Sequence, residues 1–156
     1  MKETFVNLDN ARFDNQRQVM EEIKTTGDCP FCQENLAKYH SKPVIRESTH
    51  WSLTENAYPY DGAKYHFLLI AKIHGETLAD ISPNAGADLF KLLAWVEKKY
   101  AIESGAFALR FGDIRYNGAS VRHLHVHLIV GDVHNPDHEK IRFKMSVPAK
   151  DSAANS

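Results

Sequence analysis

Apolar positions along the chain change their period several times. Between Asp14 and Thr25, Val19, Met20 and Ile23 fall on one face at helical spacing, and Gly27 stops the run. Cys29-Pro30-Phe31-Cys32 reads as a tight turn, and Gln33 to Tyr39 as a short helix. Pro43 to Ser48 and Trp51 to Asn56 read as strands of mixed polarity. The turn signal Pro59-Tyr60-Asp61-Gly62 separates them from Tyr65 to Ala71, whose nearly continuous apolar character predicts a central strand. Ser82-Pro83 fits an N-cap and first helical position, and Leu89, Leu92, Leu93 and Val96 line one face of a helix expected to end near Glu103–Gly105. A strand over Ala106 to Phe111, a loop from Gly112 to Ala119, a last central strand over 121–130 and a short strand from Ile141 to Met145 complete the chain. Segregated runs with short links predict an antiparallel sheet with helices packed on it, an α+β domain.

Composition narrows the function classes. The chain has 156 residues, 43% hydrophobic and 25% charged, which suits one ordinary core. A formal net charge of -1 supplies no global basic field for long nucleic acid, although a small anionic ligand needs only a local site. No apolar run approaches the roughly 20 residues that span a bilayer. The start, Met1-Lys2-Glu3-Thr4-Phe5, has no apolar signal region, so the expected location is the cytosol. There a Cys-x-x-Cys pair points to metal or redox chemistry rather than a structural disulfide. Residues 149–156 are small and polar and are expected to fray.

The chemistry concentrates in His123-Leu124-His125-Val126-His127. On a strand, alternate side chains share a face. Leu124, Val126 and Leu128 can then enter the core while three imidazoles form a row, roughly 6.5–7 Å apart along the strand. Neutral imidazole is a good nucleophile near pH 7 and can attack phosphorus. Its neighbours can donate to non-bridging oxygens or protonate a leaving group. The loop Asn117-Gly118-Ala119-Ser120 just before it offers close backbone approach at Gly118 and a hydroxyl at Ser120 for a phosphate. The blander alternatives are histidines on a solvated face, or a metal site.

These residues resemble the histidine-triad (HIT) superfamily. His123 to Ile129 matches its His-apolar-His-apolar-His-apolar-apolar signature. Cys29-Pro30-Phe31-Cys32 is similar to its Cys-x-Phe-Cys, His66 to His74 to its strand ending in Lys-x-His, and Gly118-Ala119-Ser120-Val121 to its Gly-Gln-Ser-Val. The resemblance covers about residues 29–131 and implies an α+β HIT-like fold with a five-stranded antiparallel sheet, paired as a homodimer. It divides the chain into an N-terminal helical extension (1–28), a HIT domain (29–148) and the tail.

The implied activity is cleavage at the α-phosphate of dinucleoside polyphosphates or nucleoside phosphoramidates through a covalent nucleotidyl-histidine. His125 would be the nucleophile, with His127 on the phosphate and His123 completing the catalytic row. Asn56, in a segment similar to the Asn-x-x-Pro of the dinucleoside polyphosphate branch, would contact the nucleoside. Asn117, Gly118 and Ser120 complete the expected substrate contacts. Ala119 stands where the family often has Gln, and Asn117 is the candidate to supply that contact. The resemblance also implies a structural Zn2+ on Cys29, Cys32, His74 and His123. Without it, the two cysteines also read as buried thiols or a redox pair.

Two other functions fit the same sequence: a diadenosine tetraphosphate phosphorylase, in which phosphate rather than water resolves the intermediate, and a non-catalytic nucleotide-binding module. Arg110, Arg115 and Arg122 flank the row and read as solvated surface charge or as aids to a polyphosphate chain. Tyr58, Tyr60, Trp51 and Phe67 are candidates for core packing or for stacking on a base.

Overall fold

The computed structural model describes residues 4–148. The tail expected to fray lies outside that range. Five strands form one antiparallel sheet: β1 (Val44–Glu47), β2 (Trp51–Glu55), β3 (Ala63–Ala71), β4 (Ala106–Leu109) and β5 (His125–Gly131), in the order β1-β2-β3-β5-β4. Around it lie the helices α1 (Asp14–Thr26), α2 (Gln33–Tyr39), α3 (Pro83–Lys99) and the single turn α4 (Ile114–Asn117). This is the α+β, five-stranded antiparallel fold that the residue pattern and the resemblance imply.

Strand alternation divides the sheet into two chemically different faces. On one, Trp51, Leu53, Phe67, Leu69, Leu124, Val126 and Leu128 pack against Leu89, Leu92, Leu93 and Val96 of α3. Ser82 caps α3 by accepting from the Ala85 N–H at 3.1 Å. On the other, Leu68 and Ile70 pack with Leu36 of α2 and Phe31, and the rest of that face carries His66, His125 and His127. The sheet is therefore an apolar wall on the α3 side and a wall of imidazoles on the side of α2.

The N-terminal segment is tied to that second side. Val6 bridges Val121, the Asn7 N–H donates to the Ser120 carbonyl at 3.0 Å, and the Arg122 N–H donates to the Phe5 carbonyl at 2.7 Å. Val6, Met20 and Ile23 form a small apolar cluster against Val121. Gly27 ends α1 at φ 78°, a left-handed cap that costs glycine little.

Several boundaries differ from the sequence expectation, among them β3, which begins at Ala63 rather than Tyr65, and β4, which ends at Leu109 rather than Phe111. Helix α3 ends at Lys99, one turn early, where the Tyr100 N–H folds back onto the Lys98 and Val96 carbonyls. The expected loop at 112–119 contains α4, because Asp113 caps it and Gly118 terminates it at φ 70°. The last strand begins at His125 rather than residue 121, since Val121 pairs with the N-terminal segment instead. Residues 141–145 form no strand; Arg110 Nη1 takes the Lys144 carbonyl at 2.7 Å, so a side chain rather than a sheet neighbour satisfies that backbone.

Candidate active site

A cleft of about 720 Å³ opens over the imidazole face. His125 and His127 line it, as do Asn56, Gly118 and Ser120. His123 and Asn117 do not belong to this lining. Asn117 turns inward: its Nδ2 donates to the Phe111 carbonyl at 2.8 Å, and its Oδ1 accepts from the Ala119 N–H at 2.7 Å. That internal use leaves it poorly placed to stand in for the missing Gln. The rings of His125 and His127 lie 4.9 Å apart, closer than the backbone repeat, with an angle of 59° between their planes.

Hydrogen bonds assign the tautomers. His125 Nδ1 lies 2.6 Å from the His123 carbonyl, an acceptor only, so Nδ1 carries the proton and Nε2 keeps its lone pair. The Tyr60 N–H donates to His66 Nδ1 at 3.0 Å, which places the proton of His66 on Nε2. His66 Nε2–H then donates to His127 Nδ1 at 2.8 Å, which leaves His127 with a proton on Nε2. Asn56 Nδ2 also approaches His66 Nε2 to 3.1 Å, but two N–H groups meet there and the contact is packing. Asn56 Oδ1 accepts from the Tyr58 N–H at 2.9 Å, which holds the side chain at the cleft. The middle ring thus keeps an acceptor at Nε2 and the last a donor, a pair that is able to attack phosphorus and to hold a phosphate oxygen.

His66 is the residue whose part the residue pattern did not reveal. It stands on β3 opposite Ile129, buried, and a single histidine in an apolar strand carries no signal of its own. Only the pairing of β3 with β5 brings it to His127.

Burial keeps the site neutral. Desolvation lowers the pKa of His66 to about 3 and of His125 to about 4, and pushes His127 well below its ordinary value, with neighbouring imidazoles and guanidinium groups adding to the effect. Unfolded imidazoles take up protons near pH 6.5. Between pH 6.5 and about 4 the unfolded chain therefore binds more protons than the folded one, and stability falls as pH falls. Well above pH 6.5, from about pH 7.5, these groups are neutral in both states and contribute no pH dependence. Thermal unfolding is expected to show a constant Tm from about pH 8.5 to 7.5 and a progressive drop from there to about pH 4. A Tm independent of pH down to 4.5 would mean that the rings titrate as exposed ones do.

His123 faces a different cluster. Its Nε2–H donates to the Ala71 carbonyl at 2.7 Å, and its Nδ1 lies 3.3 Å from Cys29 Sγ, 3.8 Å from Cys32 Sγ and 3.2 Å from His74 Nδ1. Cys32 Sγ is 3.5 Å from His74 Nδ1, and the four ligand atoms all lie within 4.8 Å of one another. A tetrahedron of zinc bonds near 2.0–2.3 Å has edges of roughly 3.3–3.8 Å, so the donor set fits a zinc ion. Both imidazoles offer Nδ1, and both Nε2 atoms have outer partners: Ala71 for His123 and, at 3.3 Å, Glu76 for His74. Burial raises the Cys29 thiol pKa and pushes that of Cys32 up to about 12, so deprotonation here calls for a bound cation.

Arg110 differs from the surface charge that the chain suggests. It is only 8% exposed and lines the cleft. Arg115 is exposed and pairs with Asp113, and Arg122 pairs with Glu76 at 2.8 Å. Trp51 and Phe67 are core, whereas Tyr60 stacks on His127 with centroids 5.8 Å apart.

Fold and site together define a class: an α+β domain whose antiparallel sheet sets a neutral imidazole pair at the floor of a cleft. The HIT domain family model matches residues 40–134, and the chain belongs to that family. Solved structures carry the same fold. A HIT family hydrolase from Clostridium thermocellum is 22% identical over 70% of this chain and 95% of its own, with a TM-score of 0.53. A hypothetical protein from Leishmania major is 21% identical over 81% and 88%, with a TM-score of 0.57. A Zn-bound histidine triad family protein from Mycobacterium smegmatis is 20% identical over 74% and 82%, with a TM-score of 0.53. A search of curated proteins finds no match.

Proposed function

We propose that this protein is a nucleotide hydrolase or nucleotidyltransferase that cleaves at the α-phosphate through a nucleotidyl-His125 intermediate. The observation that carries the reading is the His125 tether: Nδ1–H held by the His123 carbonyl at 2.6 Å, in a buried neutral ring on the cleft floor. His125 Nε2 forms a bond to phosphorus as the bond to the leaving group breaks, and the leaving group departs with the bonding pair. Water, or phosphate in a phosphorylase, then attacks phosphorus; the P–Nε2 bond breaks with its pair returning to Nε2, and a proton of an attacking water passes to solvent. His127 Nε2–H donates to a non-bridging oxygen, and the Ser120 hydroxyl and the backbone at Gly118 support the same phosphate. Asn56 contacts the nucleoside. His123 acts through its carbonyl and as a metal ligand.

Zinc on Cys29, Cys32, His74 and His123 would be structural, since four protein ligands leave no open position. It would anchor the chain beneath His125. The zinc-bound structural relative supports this assignment. Residues 29–148 form the working domain in this reading and residues 1–28 an extension, of which Val6 and residues 9–13 line the cleft. A homodimer through the sheet edge fits exposed Phe107 on β4, which meets exposed Phe90 of α3 edge-on at 5.8 Å. A cytoplasmic location belongs to the same reading; no helix among the described residues is long and apolar enough to cross a membrane.

Turnover of diadenosine tetraphosphate and of an adenosine phosphoramidate, with and without added phosphate, tests the activity and separates hydrolysis from phosphorolysis. Release of no product from either by the wild type would defeat the reading. His66→Phe is expected to lower kcat by about 10–100-fold with a smaller change in KM, because it frees the His127 tautomer in a step where proton positioning matters. An unchanged kcat would remove His66 from the relay.

A further inference from the structure

Cationic side chains crowd one side of the cleft. Arg110, at the end of β4, lies with its Cζ 3.7 Å from the Phe143 ring centroid, and its Nη2 donates to the Tyr60 hydroxyl at 3.3 Å. Arg12, from the N-terminal segment, lies 4.4 Å from the centroid of the same Tyr60 ring, which also stacks on His127. Tyr60 is thus shared by two guanidinium groups and a catalytic imidazole. Lys140, Arg142 and Lys144 line the same cleft from the C-terminal segment.

Among the described residues, neither Arg12 nor Arg110 forms an ion pair. Arg12 donates to the carbonyls of Pro59, at 3.2 Å, and Tyr58. Arg110 donates to the carbonyls of Lys144, at 2.7 Å, and Asn117. Asp9, Asp61 and Glu139 also line the cleft, so five cations face three carboxylates. Asp61 attracts Arg12 without pairing with it, whereas Arg110 repels it, so the two guanidinium groups share a cleft whose carboxylates do not neutralise its cations, and an anion would join them favourably. The other side of the cleft is different: Pro30, Phe31 and Leu68 are apolar, and Phe31 meets the His125 ring edge-on at 5.0 Å. That side suits a nucleoside, and the cationic side suits what departs from phosphorus.

We propose that Arg12 and Arg110, arranged on Tyr60, form a subsite for the phosphates beyond the α-phosphate, so that the enzyme selects polyphosphate leaving groups over uncharged amines. Arg12 and Lys140 to Lys144 lie outside residues 40–134, so this selectivity would be built largely from segments outside the family match. The inference rests on the nucleotidyl-transfer reading for its catalytic arm, but not for its binding arm.

The catalytic arm compares kcat/KM for diadenosine tetraphosphate with kcat/KM for an adenosine phosphoramidate in the wild type, Arg12→Gln and Lys91→Gln. Arg12 and Lys91 are both exposed, so glutamine at either place leaves no buried cavity, and Lys91 is a cation on α3 away from the cleft lining. A charge-assisted contact predicts that the tetraphosphate-to-phosphoramidate ratio falls by about 10–100-fold in Arg12→Gln. Lys91→Gln should keep the wild-type ratio. The binding arm is calorimetric titration with inorganic tripolyphosphate. Binding should weaken by about tenfold or more in Arg12→Gln and with added salt. An unchanged ratio, or equal tripolyphosphate affinity in wild type and Arg12→Gln, would overturn the subsite. A wild type that binds tripolyphosphate through Arg12 but turns over neither nucleotide would refute the proposed activity and leave the subsite standing.

Discussion

His125→Ala is expected to lower kcat for nucleotide turnover by at least about 1000-fold, the scale seen when an enzyme loses its nucleophile. Nucleotide affinity should change far less, because the cleft holds its ligand through other groups. In the proposed mechanism, the Nδ1–H tether to the His123 carbonyl means that the ring needs no proton transfer before attack, because Nδ1 carries the proton and burial holds the ring's pKa below its ordinary value. Rapid quenching of the wild type should trap one nucleotidyl group per chain on the peptide that contains His125, and none in the variant. Turnover in His125→Ala within tenfold of wild type would remove His125 from the chemistry.

Removing zinc is expected to lower Tm by on the order of 10 °C. A ligand present at about 1000 times its Kd stabilises the folded state by roughly 4 kcal/mol, and a domain of this size loses about 2–4 °C per kcal/mol. The same loss should follow Cys29→Ala/Cys32→Ala without chelator. A second effect follows from geometry, since His123 is both a proposed ligand and the residue whose carbonyl holds His125. Demetallation should therefore lower kcat at temperatures where the protein remains folded. Elemental analysis of protein purified without chelator measures the premise directly: less than about one zinc per two chains, with a Tm insensitive to chelator, would refute the assignment. Those ratios follow from the single four-ligand cluster found among the described residues.

The cleft shows how far local pattern reaches. His125 and His127 were legible because alternation along a strand is a property of the backbone alone, and their faces hold whatever the neighbours do. His123 was legible as a histidine of the row, and as a zinc ligand through the resemblance, but not as a residue outside the strand. Its ring takes the Ala71 carbonyl that a backbone N–H would otherwise fill. Arg110 read as surface charge because arginine usually is. Its burial depends on the C-terminal segment folding back to offer Lys144 and Phe143, a contact 33–34 residues away.

What the chain determined by itself is short-range: the period of each element, the caps at Gly27 and Ser82, and the order of imidazole and apolar groups in residues 123–128. Those follow from steric limits and hydrogen bonding within a few residues. Tertiary structure decided the rest: that His66 hands its proton position to His127, that Arg12 reaches Tyr60, and that four ligands from three separate segments meet. Such contacts join residues 48 to 94 positions apart, and their geometry comes from how the sheet orders its strands and what packs on each face.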